Sequence, residues 1–217
     1  MVATDRDLLA VEPNVFRDIA WVGQRLTNGT GSITSNVLTQ LSSFYDVSFE
    51  DAGVGAGHVV LHGGIAYEVI DRTSSTSVSV SRLRASTDDA AIVVGDVSNA
   101  LTTVYTFRPQ IQLVTNQVYR LLGLVPAGLG LVGTEVTVDD LYDTDDLKQA
   151  VVMGTLHMAY SAASALSSEG SPLLQRAELY RRLFSLERER AVVRFDADGD
   201  GEPEFTRRMN MMRFERV

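Results

Sequence analysis

The sequence contains no cysteine in 217 residues. That excludes disulfides and thiolate zinc sites, and fits a chain folded in a reducing cytoplasm. Lysine is nearly missing as well, since Lys148 is the one lysine among 19 basic residues. Arginine-favouring codon usage accounts for this simply; the sharper reading is that arginine's planar fork makes bidentate contacts across subunit interfaces. No apolar run reaches the roughly 20 residues needed to span a bilayer. The opening Met1-Val-Ala-Thr-Asp-Arg-Asp7 lacks the basic and apolar regions of a signal peptide. A chain that is neither secreted nor membrane-embedded is expected, and the sequon Asn28-Gly-Thr30 then has no glycan to explain. Positive charge is also short. The net charge is −9, and the acids cluster from Asp139 to Asp146 and from Asp196 to Glu204. A nucleic-acid binder needs a basic face to neutralise phosphate, which this balance argues against.

Catalytic signatures are missing too. There is no G-x-S-x-G, H-E-x-x-H or Walker pattern, which leaves open only a triad scattered along the chain. Gly128-Leu-Gly130-Leu-Val-Gly133 satisfies G-x-G-x-x-G, but a dinucleotide site needs a strand before it and a helix starting within it. Here a helical pattern and Pro126 precede it, so it reads as a connection. His58 and His62 could share a strand face, yet the remaining histidine, His157, is distant and no thiolate or spaced carboxylate joins them. The residues therefore predict no catalytic group and no cofactor.

What is present is an ordinary globular composition, 45% hydrophobic and 22% charged, enough for a sizeable core. Thr4 or Asp5 can cap a short helix through Leu8, Leu9 and Val11 that Pro13 ends or bends. Thr27-Asn-Gly-Thr-Gly31 reads as a hairpin turn, because Asn-Gly tolerates positive φ. His58 to His62, Gly63-Gly64 and Ile65 to Ile70 read as a second hairpin, and Ser77 to Arg84 alternates at period two. After Pro109, Ile111, Val114, Val118, Leu121 and Leu122 form a helical stripe that stops at Gly123. Thr144 opens a helix to about Leu166, apolar almost all round and rich in small residues. Ser171 and Pro172 cap the next, whose stripe is Leu173, Ala177, Tyr180 and Phe184. The expected fold class is α+β: a helical body of antiparallel helices (1–17 and 108–190), an inserted small β lobe or partial barrel (18–107), and a C-terminal β-hairpin tail (191–217).

The acidic turn is the metal candidate. Asp196, Asp198 and Asp200 with Gly201 match the first half of an EF-hand loop, in which alternate carboxylates converge on calcium. The second half fails, because Arg207 stands where the bidentate glutamate belongs. The flanks read as strands, so a solvated hairpin tip is expected and any calcium binding should be weak.

The chain resembles a known family through a particular order of segments. A short helix is followed by a β insertion containing Ala56-Gly-His-Val-Val-Leu-His-Gly-Gly-Ile-Ala-Tyr-Glu-Val-Ile70 and Ser81-Arg-Leu-Arg84, then by Phe107-Arg-Pro-Gln-Ile111. In this it resembles the head-to-tail adaptors (connectors) of tailed bacteriophages. The closing run is similar to the helix, acidic turn and arginine-rich tail of such proteins: Arg176 to Phe184, Phe195 to Gly201, then Arg207-Arg-Met-Asn-Met-Met-Arg-Phe-Glu-Arg216. The resemblance implies a structural virion protein of the neck, assembled in the bacterial cytoplasm. It would form a homo-oligomeric ring, expected to be dodecameric, below the portal protein. The ring would extend the channel through which genomic DNA passes without specific binding, and would offer a surface to a stopper or tail-terminator protein. Residues 109–190 would form the ring body. The tail would engage the portal through Phe205, Arg207, Arg208, Met209, Met211, Arg213, Phe214 and Arg216, whose near-alternating apolar positions suit addition to a sheet edge; an ordinary hairpin folded on its own subunit is the equally open alternative. The alternative from the residues alone is a β-barrel-bearing binding module, or an enzyme with a non-contiguous site near His58, His62 and Asp71.

Overall fold

The computed structural model describes residues 2–124, 136–165 and 171–209. Two short helices, α1 (Asp5–Val11) and α2 (Val15–Asp18), lead through a 3-10 turn at Val22–Gln24 into six strands: β1 (Arg25–Thr34), β2 (Val37–Ser43), β3 (Val59–His62), β4 (Ile65–Arg72), β5 (Ser77–Ser81) and β6 (Val97–Tyr105). Three helices follow, α3 (Arg108–Leu121), α4 (Asp145–Ser164) and α5 (Pro172–Arg190), and then β7 (Val192–Phe195) and β8 (Phe205–Arg208). The contacts divide the chain into two units, one Thr4–Arg108 and the other starting at Pro109, which also takes in the first residues.

The first unit overturns the expected fold class. In place of a partial barrel inserted in a helical body, β1 to β6 form a closed antiparallel barrel in the order β1-β2-β5-β4-β3-β6. Closure comes from β6, which pairs with β1 through Asn28↔Thr103 and with β3 through Val60↔Val104. Its polar sequence, Val97-Ser-Asn-Ala-Leu-Thr-Thr-Val-Tyr105, gives little hydrophobic alternation, so nothing local announces it. Once paired on both sides it leaves the sheet no edge. The first helices belong with the barrel and not with the helical body, for reasons of buried charge given below.

Inside the barrel, Ile33, Leu38, Val60, Tyr67, Val69, Val78, Val80 and Val104 form one core with Phe49 and Val54 from the connections. The alternating burial of β1 and β5 is what a pleated strand with one inward face requires. Thr27-Asn-Gly-Thr-Gly31 is not a turn but the middle of β1. The β1–β2 reversal falls at Ser35 and Asn36, with φ of 50° and 64°. Gly29 serves close approach here: a Cβ on it would lie 1.9 Å from the Ser42 carbonyl oxygen. The β3–β4 hairpin turns where expected, at Gly63 (φ 59°) and Gly64 (φ 81°).

In the second unit the local signals hold. The stripe on α3 buries Ile111, Val114 and Val118, and the helix stops before Gly123, at φ 69°. Ser171 caps α5 by accepting from the Leu173 amide, with Pro172 in the first turn. α4 and α5 pack as an antiparallel pair, the Tyr160 and Tyr180 rings stacked 5.8 Å apart. The last residue expected in α4, Leu166, lies outside the described residues, as does the glycine motif 128–133. No helix among the described residues is long and apolar enough to cross a membrane.

Candidate functional site

The C-terminal hairpin holds many of the residues singled out by sequence, and its strands are built by alternation. Val193 and Phe195 of β7 are fully buried while Val192 faces out. β8 pairs with β7 from Val192↔Arg208 to Phe195↔Phe205. On its other side β7 meets the segment 140–142, where the Tyr142 amide donates to the Arg194 carbonyl at 3.1 Å and the Asp196 amide to the Asp140 carbonyl at 2.9 Å. Arg194 fastens this layer to the start of α4. Its Nε and a terminal nitrogen each donate to Asp146 at 3.0 Å, and its guanidinium lies 4.9 Å over the Tyr142 ring. The Asp146 and Asp143 carboxylates hold the Arg194 guanidinium above its ordinary range.

The predicted docking residues divide. Phe205 stacks on Phe195 at 5.1 Å, and Arg207 lies over both rings at 5.5 and 5.4 Å while donating to the Leu122 carbonyl at 3.2 Å. Met209 is buried. These three are engaged within their own unit. Arg208 faces solvent. Met211, Arg213, Phe214 and Arg216 lie outside the described residues.

Between the two strands the acidic turn folds on itself. Asp196 accepts from the amides of Gly199 (2.7 Å) and Gly201 (2.9 Å), Asp198 from Asp200 (3.2 Å), Asp200 from Glu202 (2.8 Å), and Glu204 from Ala197 (2.6 Å). Gly199 and Gly201 take φ of 75° and 89°. One carboxylate oxygen from each of Asp196, Asp198, Asp200 and Glu204 lies within 4.8 Å of the others. Four hard oxygen donors suit calcium or magnesium in type; each of the four carboxylates also accepts at least one backbone N–H, and the tip is exposed. Glu204 escaped the sequence reading. It stands ninth from Asp196, the place an EF-hand loop often fills through water, and that spacing was the available signal.

The histidines do not gather. His58 contacts the Gly55 carbonyl at 2.9 Å, and His62 shares a 2.8 Å hydrogen bond with the Thr102 hydroxyl. Burial pushes both imidazoles below their usual value. His157 sits on α4 against the Ala177 carbonyl, and Asp71 is exposed, accepting from the Arg72 amide.

Sequence reading also missed a buried charge cluster that fixes α1 to the barrel. Glu68 on β4 is fully buried, accepting from Arg6 Nε at 2.5 Å and from Arg84 Nε. Arg6 also reaches the Arg84 carbonyl at 2.6 Å, and Arg84 donates to the carbonyls of Thr87 and Asp89. Beside them Asp5 accepts from the Phe107 amide (2.7 Å) and the Thr106 hydroxyl (2.8 Å). Burial raises its carboxyl to about 6, against the lowering effect of those hydrogen bonds and of Arg108. The chemistry of this cluster is cohesive, since every polar group in it points at another part of the same unit.

The chain matches no protein-family model, no curated protein and no solved structure.

Proposed function

We propose that this chain is a head-to-tail adaptor of a tailed bacteriophage: a structural subunit of the virion neck that assembles as a ring, expected to be dodecameric, below the portal protein. The ring would carry a stopper or tail-terminator protein and let DNA pass without binding it. The observation that carries this reading is the C-terminal strand β8. Among the described residues it belongs to a two-stranded sheet and pairs with β7 alone, while β7 is covered on its far side by residues 140–142. Among the described residues no strand lies against its other edge, and Arg208 stands exposed beside it. An edge of this kind accepts a partner strand through main-chain hydrogen bonds, with side chains supplying selectivity.

The test is co-sedimentation with the portal assembly of the same virion. Removing the whole tail would strip Phe205 and Met209 from the packing, so the informative variants are Arg208→Glu and a chain ending at Met209. Arg208→Glu should keep the melting temperature of the intact chain, a cooperative melt checks that the shortened chain folds, and binding by both should weaken at least tenfold. Unchanged binding by both would refute the docking role of the tail.

A further inference from the structure

Besides the hairpin, the barrel unit carries a protrusion and a hollow on opposite sides. Immediately after β2, Phe44 and Tyr45 stand 62% and 65% exposed, with Leu41 (57%) beside them and the exposed Asp46 next in the chain. Arg25 holds the tyrosine, lying 5.7 Å over its ring and donating to its hydroxyl at 3.1 Å. Water-facing aromatic rings grouped with an exposed leucine are a usual mark of an interaction surface. The hollow is a groove of about 380 Å³ between α1–α2 and the outer side of the β3–β4 hairpin, walled by Leu9, Leu61, Ile65, Ala66 and Leu83. Arg17 is the charged residue among those lining it. One of its terminal nitrogens donates to Asn14 at 2.5 Å, leaving its other N–H groups for a further acceptor. The volume lies at the small end of the roughly 300–1,000 Å³ of ligand sites, a scale that suits an aromatic side chain.

Around the barrel, β2 and β3 are three strands apart in either direction, because the order is β1-β2-β5-β4-β3-β6 and closed. Protrusion and groove thus lie diametrically across one barrel and cannot meet within a subunit. We infer that they meet between subunits: Phe44 of one copy enters the groove of the next, and Asp46 faces Arg17. The occupant is a second copy of this chain, because the protrusion is apolar with the exposed Asp46 at its edge, Arg25 being held on the Tyr45 ring, and the groove is apolar with Arg17 at its wall. Two different patches in contact make a heterologous interface, which repeats head to tail and gives a ring when the rotation closes. This inference rests on the ring reading and adds to it a barrel-to-barrel contact.

Because the chain has no cysteine, the test is clean. Tyr45→Cys and Ala66→Cys are combined in the full chain, which keeps Phe44 in place and is treated with a short bismaleimide at high concentration, alone and on portal. Melting temperatures confirm that the variants fold. A ladder of multimers on denaturing gels is expected from the double variant, no ladder from either single variant, and a mixture of the two singles should stop at dimers. Arg17→Glu should reduce the ladder at least tenfold at low salt, while Arg17→Lys should retain most of it. A control pair, Tyr45→Cys with Leu179→Cys, that laddered equally would overturn the contact. So would rings seen by electron microscopy without cross-linking, and that result would leave the ring reading standing. Absence of both rings and ladder would overturn the two together.

Discussion

Replacing Glu68 by glutamine should be among the most damaging single changes in the barrel unit. The side chain keeps its shape, but the charge that balances Arg6 and Arg84 is lost. Its amide nitrogen would also face guanidinium donors with nothing to accept its hydrogens. Two arginines, each about 8% exposed, would then remain buried beside each other. Removing one partner of a buried ion pair costs about 3–5 kcal/mol. Arg6→Met should cost less, because Glu68 would keep both its bonds to Arg84, to the backbone amide at 3.2 Å and to Nε. Replacing all three by Arg6→Met, Glu68→Leu and Arg84→Met should recover much of the loss, since a whole buried ionic group often exchanges for apolar side chains at little net cost. The carbonyls of Thr87 and Asp89 that Arg84 holds belong to exposed residues and can turn to water. The assay is urea unfolding followed by the fluorescence of Trp21, the only tryptophan in the chain, which packs edge-on to Phe107 at 5.9 Å within the barrel unit. With a slope of about 2 kcal/mol per molar urea, the Glu68→Gln midpoint should fall by about 1.5–2.5 M. A fall under about 0.5 M, or a triple variant far less stable than Glu68→Gln, would refute the reasoning.

Three further outcomes are expected. Asp5 has a folded value of about 6 against 3.8, so between those values the folded state binds more protons; this contribution to stability is present in acid and is lost as pH rises through 6. Asp5→Asn should flatten that part of the stability–pH curve, and an unchanged curve would contradict the assignment. At Gly154 a Cβ would lie 2.7 Å from Val114 Cγ1 and 3.0 Å from the Phe184 ring. Overpacking of about 1–3 kcal/mol should therefore outweigh the gain of about 1 kcal/mol in helix propensity, and Gly154→Ala should melt lower in calorimetry. At the acidic turn, incomplete coordination keeps calcium affinity at or below about 10⁻⁴ to 10⁻³ M. Calcium at about 1 mM should then stabilise by about 0.4 kcal/mol at the weak end of that range and by no more than about 1.4 kcal/mol at the tight end, whereas saturable binding below roughly 10⁻⁵ M in a calorimetric titration, lost in Asp198→Asn, would make the turn a calcium site.

The sequence by itself determined those elements whose causes lie within a few residues. Pro109 and Gly123 bracket α3, Ser171 and Pro172 start α5, and Gly63-Gly64 turns the β3–β4 hairpin, because capping, φ preference and side-chain periodicity act over one or two turns of chain. The half-calcium spacing from Asp196 to Gly201 was legible for the same reason. Tertiary structure alone decided the rest. β6 became a strand by finding β1 and β3, through partners such as Asn28↔Thr103 far apart in sequence. That pairing turned an apparent lobe into a closed barrel. The close approach of β2 to β1 overrode the turn preference of Asn28-Gly29, where the Ser42 carbonyl takes the space of a side chain. Glu68 sits on the outer side of its strand, where sequence alternation predicts water; its burial depends on Arg6, 62 residues earlier. Arg207 reads as a solvent-facing tail residue until Leu122, 85 positions away, supplies its acceptor. Such contacts depend on chain closure over long loops, whose outcome is set by which distant groups can be desolvated together and not by any local pattern.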